Sequence, residues 1–188
     1  AVSYLYYADR IYQINLAIAG IAVGTVSLPV LSKAFKNKNI KKLSNIQNKS
    51  FELSLLLSIP ASLGLILASE EIVNALFGYG SFSKEDVKLT ANALKYFGYG
   101  VPAFALVKVL SNFFFARDDT KNPFYISIGM VIINVSISVS LFSSYGFIII
   151  PIATSIATWI GVLMYIYLLN QKKSLLLKIK LIPNFLRI

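Results

Sequence analysis

Five long apolar runs decide what this chain can become. They occupy residues 2–31, 51–68, 91–116, 123–142 and 147–169, and a helix that crosses a bilayer needs about 20 mostly apolar residues. Membrane-crossing strands would alternate apolar and polar side chains, and these runs do not. Hydrophobic residues make up 56% of the chain and charged residues 14%, whereas a soluble domain carries about 25% charged residues. The sequence therefore predicts an all-α integral membrane protein with about five transmembrane helices.

The charges lie between the runs, and they lie unevenly. The connector KAFKNKNIKKLSNIQNK (33–49) holds six lysines and no acid, and RDDTKN (117–122) holds Arg117 and Lys121. Five more basic residues follow Gln171, so these three segments contain thirteen of the 18 basic residues. The second connector instead carries Glu70, Glu71, Glu85 and Asp86, and the fourth, SSYG, is uncharged. Basic and non-basic connectors alternate strictly. The positive-inside rule then places the N-terminus of the segment outside and its C-terminus in the cytoplasm. The net charge of +10 is in this reading a topology signal. It favours contact with anionic membrane lipids and argues against nucleic acid. A chain that starts outside with Ala1 and no signal peptide is expected to continue a longer helical bundle. The expected domain layout is a transmembrane bundle over 1–170 and a basic cytoplasmic or interfacial tail over 171–188.

Within the second connector, Ile72, Val73, Leu76 and Phe77 share one helical face before Gly78 and Gly80 break it. This predicts a short interfacial helix. Ser83, Glu85 and Asp86 read as the capped acidic start of the third span. The chain has no Cys and no His, which removes thiol nucleophiles, histidine bases and Cys/His metal sites. Beyond Asp9 at the head of the first run, Glu52 is the one acid inside a predicted span, at its inner edge. Neither an enzyme, a metal nor a cofactor is expected.

The first run opens with YYADRIYQ (6–13). At about 100° per residue, Tyr6, Arg10, Gln13, Ala17, Gly20 and Gly24 fall on one arc about 80° wide. The stripe is cationic and polar at one end, small at the other. Two readings fit it. Arg10 could reach headgroups within an aromatic belt of Tyr4, Tyr6, Tyr7 and Tyr12, with Gly20 and Gly24 packing against a neighbour. Alternatively Arg10 faces a hydrated cavity and meets an anion there, offsetting the roughly 2.5–3.5 kcal/mol that an arginine costs at mid-membrane. In the third span, Lys95 lies near the outer end. Lys108 lies about 13 Å from the inner boundary, a long reach for snorkelling, which favours an inward-facing side chain. Pro60, Pro102 and Pro151 are candidate kinks, and Asn134 is expected to hydrogen-bond a neighbouring helix. GYGVPA (98–103) imitates a dinucleotide fingerprint without the strand that such a motif requires. The glycosylation-like NVS (134–136) is buried in a span.

Three motifs in order resemble the MurJ/MviN family of lipid II flippases in the MOP exporter superfamily. The first is YYADRIYQINLAIAGIAVGTVSLPVLSKAF, with Tyr7, Ala8, Asp9 and Arg10 and later Leu28, Pro29, Leu31 and Ser32. The second is IVNALFGYGSFSKEDVKLTANAL, with Leu76, Phe77, Gly80, Phe82 and Asp86. The third is FFFARDDTKNP, with Phe114, Ala116, Arg117, Asp119, Thr120 and Pro123. The resemblance covers nearly all of residues 1–170. It implies helices eight to twelve of a fourteen-helix, two-lobe flippase, that is, part of its C-terminal lobe, with the N-terminal lobe of the same protein as partner. It further implies a multi-pass protein of the bacterial inner membrane. Such a protein moves lipid II, or a related polyprenyl-pyrophosphate lipid, from the cytoplasmic to the outer leaflet by alternating access. On this resemblance Arg10, Gln13 and Lys108 are the expected contacts to the pyrophosphate, while Tyr6, Ala17, Gly20 and Gly24 line the cavity or pack. Gln13 matches a position that is often Glu or Gln in the family, and the glutamine removes a charge, which puts an ion- or proton-coupling role there in doubt. Export of another polyprenyl-linked oligosaccharide, or a non-transporting scaffold of cell-wall assembly, are the alternatives.

Overall fold

The computed structural model describes residues 2–17, 20, 23–80 and 82–172, and its regular structure is helical. The basic tail expected beyond Gln171 lies, but for Lys172, outside the described residues. The helices are α1 (Val2–Leu16), α2 (Val23–Lys36), α3 (Ile40–Leu67), α4 (Ser69–Phe77), α5 (Lys84–Gly98), α6 (Val101–Phe115), α7 (Lys121–Tyr145) and α8 (Ile149–Gln171).

Each predicted run is helical where it is described, but of the five expected spans only α3 and the α7–α8 stretch are long and apolar enough to cross a bilayer among the described residues, with α5–α6 a third if that bent pair is one span. The first run is two helices, neither long enough to cross a bilayer alone, and Ala17 and Gly20 between them form π-helical turns. The third run is also a pair, α5 and α6, bent by 41° at Tyr99–Gly100. α3 is a continuous 28-residue helix apolar enough to cross a bilayer. It starts eleven residues earlier than its apolar stretch, because Asn39 caps it by accepting from the Lys42 amide at 2.9 Å. Most of the lysine-rich connector is thus helical. α7 and α8 form an antiparallel hairpin through a single 3-10 turn at Gly146–Ile148, where Gly146 takes φ +60°. Asn134 of α7 bonds Thr154 of α8 at 2.8 Å, as the sequence predicts for that asparagine.

The bend between α5 and α6 shows how sequence and packing cooperate. Pro102 has no N–H, so the Gly98 carbonyl loses its helical partner. Ser62 of α3 supplies one, donating to Gly98 O at 2.7 Å. Two more carbonyls exposed by the bend are taken by α8. Ser155 donates to Tyr96 O at 2.7 Å and Trp159 Nε1 to Tyr99 O at 3.0 Å. Of the three candidate kinks, only Pro102 stands at a break. Pro60 lies inside the continuous α3, and Pro151 lies in the first turn of α8, where the amide would be unpaired in any case.

α3 presents Gln47, Ser50, Ser54, Ser58 and Ser62 along one buried face. The four serines are small side chains at a spacing that lets helices approach closely, and α6 is the helix on which α3 packs most. The core has two parts. One gathers Leu31, Leu110, Phe113, Phe114 and Tyr165. The other gathers Tyr12, Val73, Leu94 and Phe97.

The basic connectors meet at one end of the bundle. The Arg117 guanidinium lies over the Phe35 ring, 5.5 Å from its centroid. Lys172 bonds Asp119 at 2.6 Å. Asp119 also accepts from the Asn122 amide and side chain, capping α7. Burial pushes the Asp119 carboxyl up, but the hydrogen bonds from Lys172 and Asn122 outweigh it and hold the group below the usual carboxylate range. A depressed folded-state pKa means that this stabilisation is fully present above the unfolded value near ~3.9 and is lost as pH falls through the folded value. Asp119→Asn is therefore expected to lower stability at pH 7 by no more than about 1 kcal/mol for a pair this exposed, read as a small fall in melting point. At pH 3, below the unfolded value, the gap between the two proteins should be smaller than at pH 7, and it closes only below the folded value. An equal gap at both pH values would show that the charge contributes nothing.

α4 and the α5 N-terminus occupy the opposite end. The predicted cap of α5 is a full capping box, with Ser83 accepting from the Asp86 amide at 3.2 Å and Asp86 from the Ser83 amide at 2.7 Å. The predicted face of α4 divides: Val73 is buried, Ile72 and Phe77 are half-buried, and Leu76 is exposed.

Candidate functional site

α1 is fixed by aromatic contacts on one side only. Tyr7 sits 4.8 Å from Phe77 and 5.5 Å from Phe82, ring centre to ring centre. Tyr12 stacks on Phe97 at 5.1 Å and meets Phe104 edge-on. These tyrosines are packing residues rather than a belt, because α1 lies along α5. Of the four tyrosines Tyr4, Tyr6, Tyr7 and Tyr12, only Tyr6 is mostly exposed, at 55%.

The opposite side of α1 is open. Tyr6, Arg10, Gln13 and Ala17 are all exposed there. Arg10 donates from Nη2 to the Tyr6 hydroxyl at 2.9 Å, and its Cζ lies 4.8 Å from the Tyr6 ring centre. Asp9, the adjacent acid, accepts from Gln13 instead. Among the described residues Arg10 thus has a neutral partner rather than an acid, and it has further N–H donors to spare. A guanidinium in that condition is suited to a two-point contact with a phosphate or carboxylate.

Gly20 and Gly24 leave this open side and are buried against α6. A Cβ on Gly20 would sit 3.4 Å from Ala105 Cα and 3.4 Å from Lys108 Cγ. A Cβ on Gly24 would sit 3.2 Å from Asn112 Nδ2. Ala17 and Gly20 are π-helical, and the small end of the stripe lies against α6 while the cationic end is exposed. The geometry thus brings Lys108 to the first run at Gly20, with the lysine stem on the glycine and the residue as a whole exposed.

Asn112 is a residue the sequence reading passed over. It is 9% exposed and donates to the Gly24 carbonyl at 2.6 Å, joining α6 to α2. The available signal was an asparagine one helical turn beyond Lys108 in an otherwise apolar run. Asn112→Leu is expected to destabilise the purified protein by about 1 kcal/mol, and by no more than about 2. Thermal melting in detergent measures this. A neutral result would mean that Ser27, which also donates to Gly24 O at 3.1 Å, suffices there. Among the described residues no group of three or more Asp and Glu side chains converges as a metal site would require.

A family model described as lipid II flippase MurJ matches residues 1–187. A probable lipid II flippase MurJ of Rickettsia prowazekii is 41% identical over 174 residues, covering 92% of this chain and 34% of the relative. One from Rhizobium meliloti is 43% identical over 164 residues, covering 87% and 31% respectively. Among solved structures, a lipid II flippase MurJ in an inward closed conformation superposes with a TM-score of 0.83 at 29% identity, covering 93% of this chain and 37% of that one. The chain therefore spans about a third of the length of these relatives.

Proposed function

The chain belongs to the lipid II flippase MurJ family, and from that premise we propose that it forms part of a flippase carrying lipid II from the cytoplasmic to the outer leaflet of a bacterial inner membrane. The observation that carries the reading is Arg10 on the open side of α1, whose hydrogen-bond partner among the described residues is the neutral Tyr6 hydroxyl. A diphosphate-sugar headgroup does not cross hydrocarbon unaided, and a cation in a wet cavity lowers that cost. In this reading Arg10 holds the pyrophosphate and Gln13 contributes a neutral donor. Lys108, reaching the same helix further along at Gly20, offers a second charge as the headgroup moves. Tyr6 positions Arg10, Ala17 leaves room beside it, and Gly20 and Gly24 hold α6 close. The work is binding and alternating access between two lobes, with no covalent step. The N-terminal lobe of the whole protein supplies the other wall. The basic connectors face the cytoplasm, and α4 with the α7–α8 turn faces outward.

The test is to deplete cells of their own flippase, supply the full-length gene containing this segment, and label lipid II in the outer leaflet. Restored labelling is expected. Failure of a well-inserted protein to restore it, with flipping of a different polyprenyl-linked sugar after reconstitution, would reassign the substrate.

A further inference from the structure

α4 and α5 meet along a charged cleft at the end of the bundle away from the lysine-rich connector. Its main groove is about 350 Å³, with Glu70 and Glu71 on one wall and Lys88, Asn92 and Lys95 on the other. A second groove of about 410 Å³ continues it, sharing Glu70, Glu71 and Lys88. All four charges of the main groove are exposed. Among the described residues no ion pair joins them within 4.0 Å, the Lys172–Asp119 pair being elsewhere. The two acids favour the positive N-terminus of α4. That leaves the lysines opposite without a role.

The level of this groove narrows what it can hold. Leu67, the last residue of the membrane-length α3, stands at its lip and is 79% exposed. Gly98 packs on Leu65 and Ile66 at the end of the same helix. Lys95 precedes Gly98 by three residues, about 4.5 Å along α5. The lysine side of the groove therefore begins where the apolar length of the bundle ends, which is the headgroup layer. There the dielectric is lower than in water, and charge pairs are worth more.

An anionic headgroup in the groove would meet Glu70 and Glu71, and a purely cationic one would meet Lys88 and Lys95. A molecule with both charges, close together and attached to an apolar tail, satisfies both walls and the lip. We propose that this groove holds the headgroup of a zwitterionic aminophospholipid, its phosphate against Lys88 and Lys95 and its ammonium against Glu70 and Glu71. Asn92 is placed to donate to the phosphate. A primary ammonium has three donors for the carboxylates, and an N-trimethylated headgroup has none.

The experiment uses the full-length protein in vesicles of equal parts phosphatidylethanolamine, phosphatidylcholine and phosphatidylglycerol, followed by native mass spectrometry of retained lipid. Phosphatidylethanolamine should be retained over the other two by roughly tenfold, the worth of one charge-assisted hydrogen bond. Glu70→Gln with Glu71→Gln should erase the preference over phosphatidylcholine. Lys88→Gln with Lys95→Gln should lower retention of both. Unselective retention, a preference for phosphatidylglycerol, or a preference that survives both pairs of substitutions overturns the proposal. A protein partner seated in the groove would give the unselective result. A photoactivatable phosphatidylethanolamine on the unsubstituted protein is an independent check, expected to label α4 and α5. These readouts do not involve Arg10, so they fail or succeed separately from the transport proposal.

Discussion

Arg10→Ala abolishes the appearance of lipid II in the outer leaflet, at wild-type membrane levels, if Arg10 holds the pyrophosphate. The size of the effect follows from what is removed. A charge-assisted, two-point contact to a phosphate is worth about 3 kcal/mol or more, and each 1.4 kcal/mol is tenfold. A loss of about a hundredfold or more in flipping is therefore expected. Arg10→Lys keeps the charge but not the planar fork, so it should fall between the two. Tyr6→Phe removes the hydroxyl that Arg10 bonds while keeping the ring beneath the guanidinium. Its effect should be small, because it leaves the cation in place. Should Arg10→Ala flip as well as wild type, the arginine is a surface anchor.

The second large effect is structural. Gly100 is buried at the bend between α5 and α6, and a Cβ there would lie 2.7 Å from Ser155 Oγ and 3.3 Å from Ser155 Cα. The serine hydroxyl has little freedom to move away, since it bonds the Tyr96 carbonyl. Gly100→Ala is therefore expected to cost about 2–4 kcal/mol, an overpacking cost plus a stranded carbonyl. That is a fall of roughly 5–15 °C in melting temperature for a chain of this size. Gly64→Ala is the control, because a Cβ there meets nothing within 4 Å. Combining Gly100→Ala with Ser155→Ala should cost less than the sum of the two, since each alone disturbs the same hydroxyl. Strict additivity would show that the clash is relieved elsewhere.

Much of this architecture is legible in the sequence, and the parts that are not have physical reasons. Hydropathy reports where a helix lies in the membrane, not where it begins. That is why α3 starts at Ile40 and α5 at Lys84, ahead of their apolar stretches. Asn39 was available as a cap signal, just as Ser83 was. Pro102 marks the bend, but no local pattern says that Ser62, Ser155 and Trp159 will serve its carbonyls. Those partners lie about 40 to 60 residues away along the chain and are joined only by tertiary packing. The stripe from Tyr6 to Gly24 was drawn on an ideal helix. The helix widens at Ala17 and Gly20, so the regular 100° step no longer holds there. Family likeness carried the role assigned to Arg10, and spacing alone left two readings open.

The bend at Gly100 also constrains the order in which the protein can be made. Ser62 has already been synthesised when the Gly98 carbonyl needs its donor. The donors for Tyr96 and Tyr99, on α8, come 59 and 60 residues later. At roughly 5–20 residues per second, the ribosome leaves those two carbonyls unserved for several seconds. At the headgroup boundary, where Lys95 lies, water can serve them meanwhile, whereas deeper in hydrocarbon an unpaired backbone carbonyl costs several kcal/mol. During that interval the nascent α5–α6 segment is expected to stay near the insertion machinery or the aqueous boundary, and to settle into its bent form only when the α7–α8 hairpin arrives.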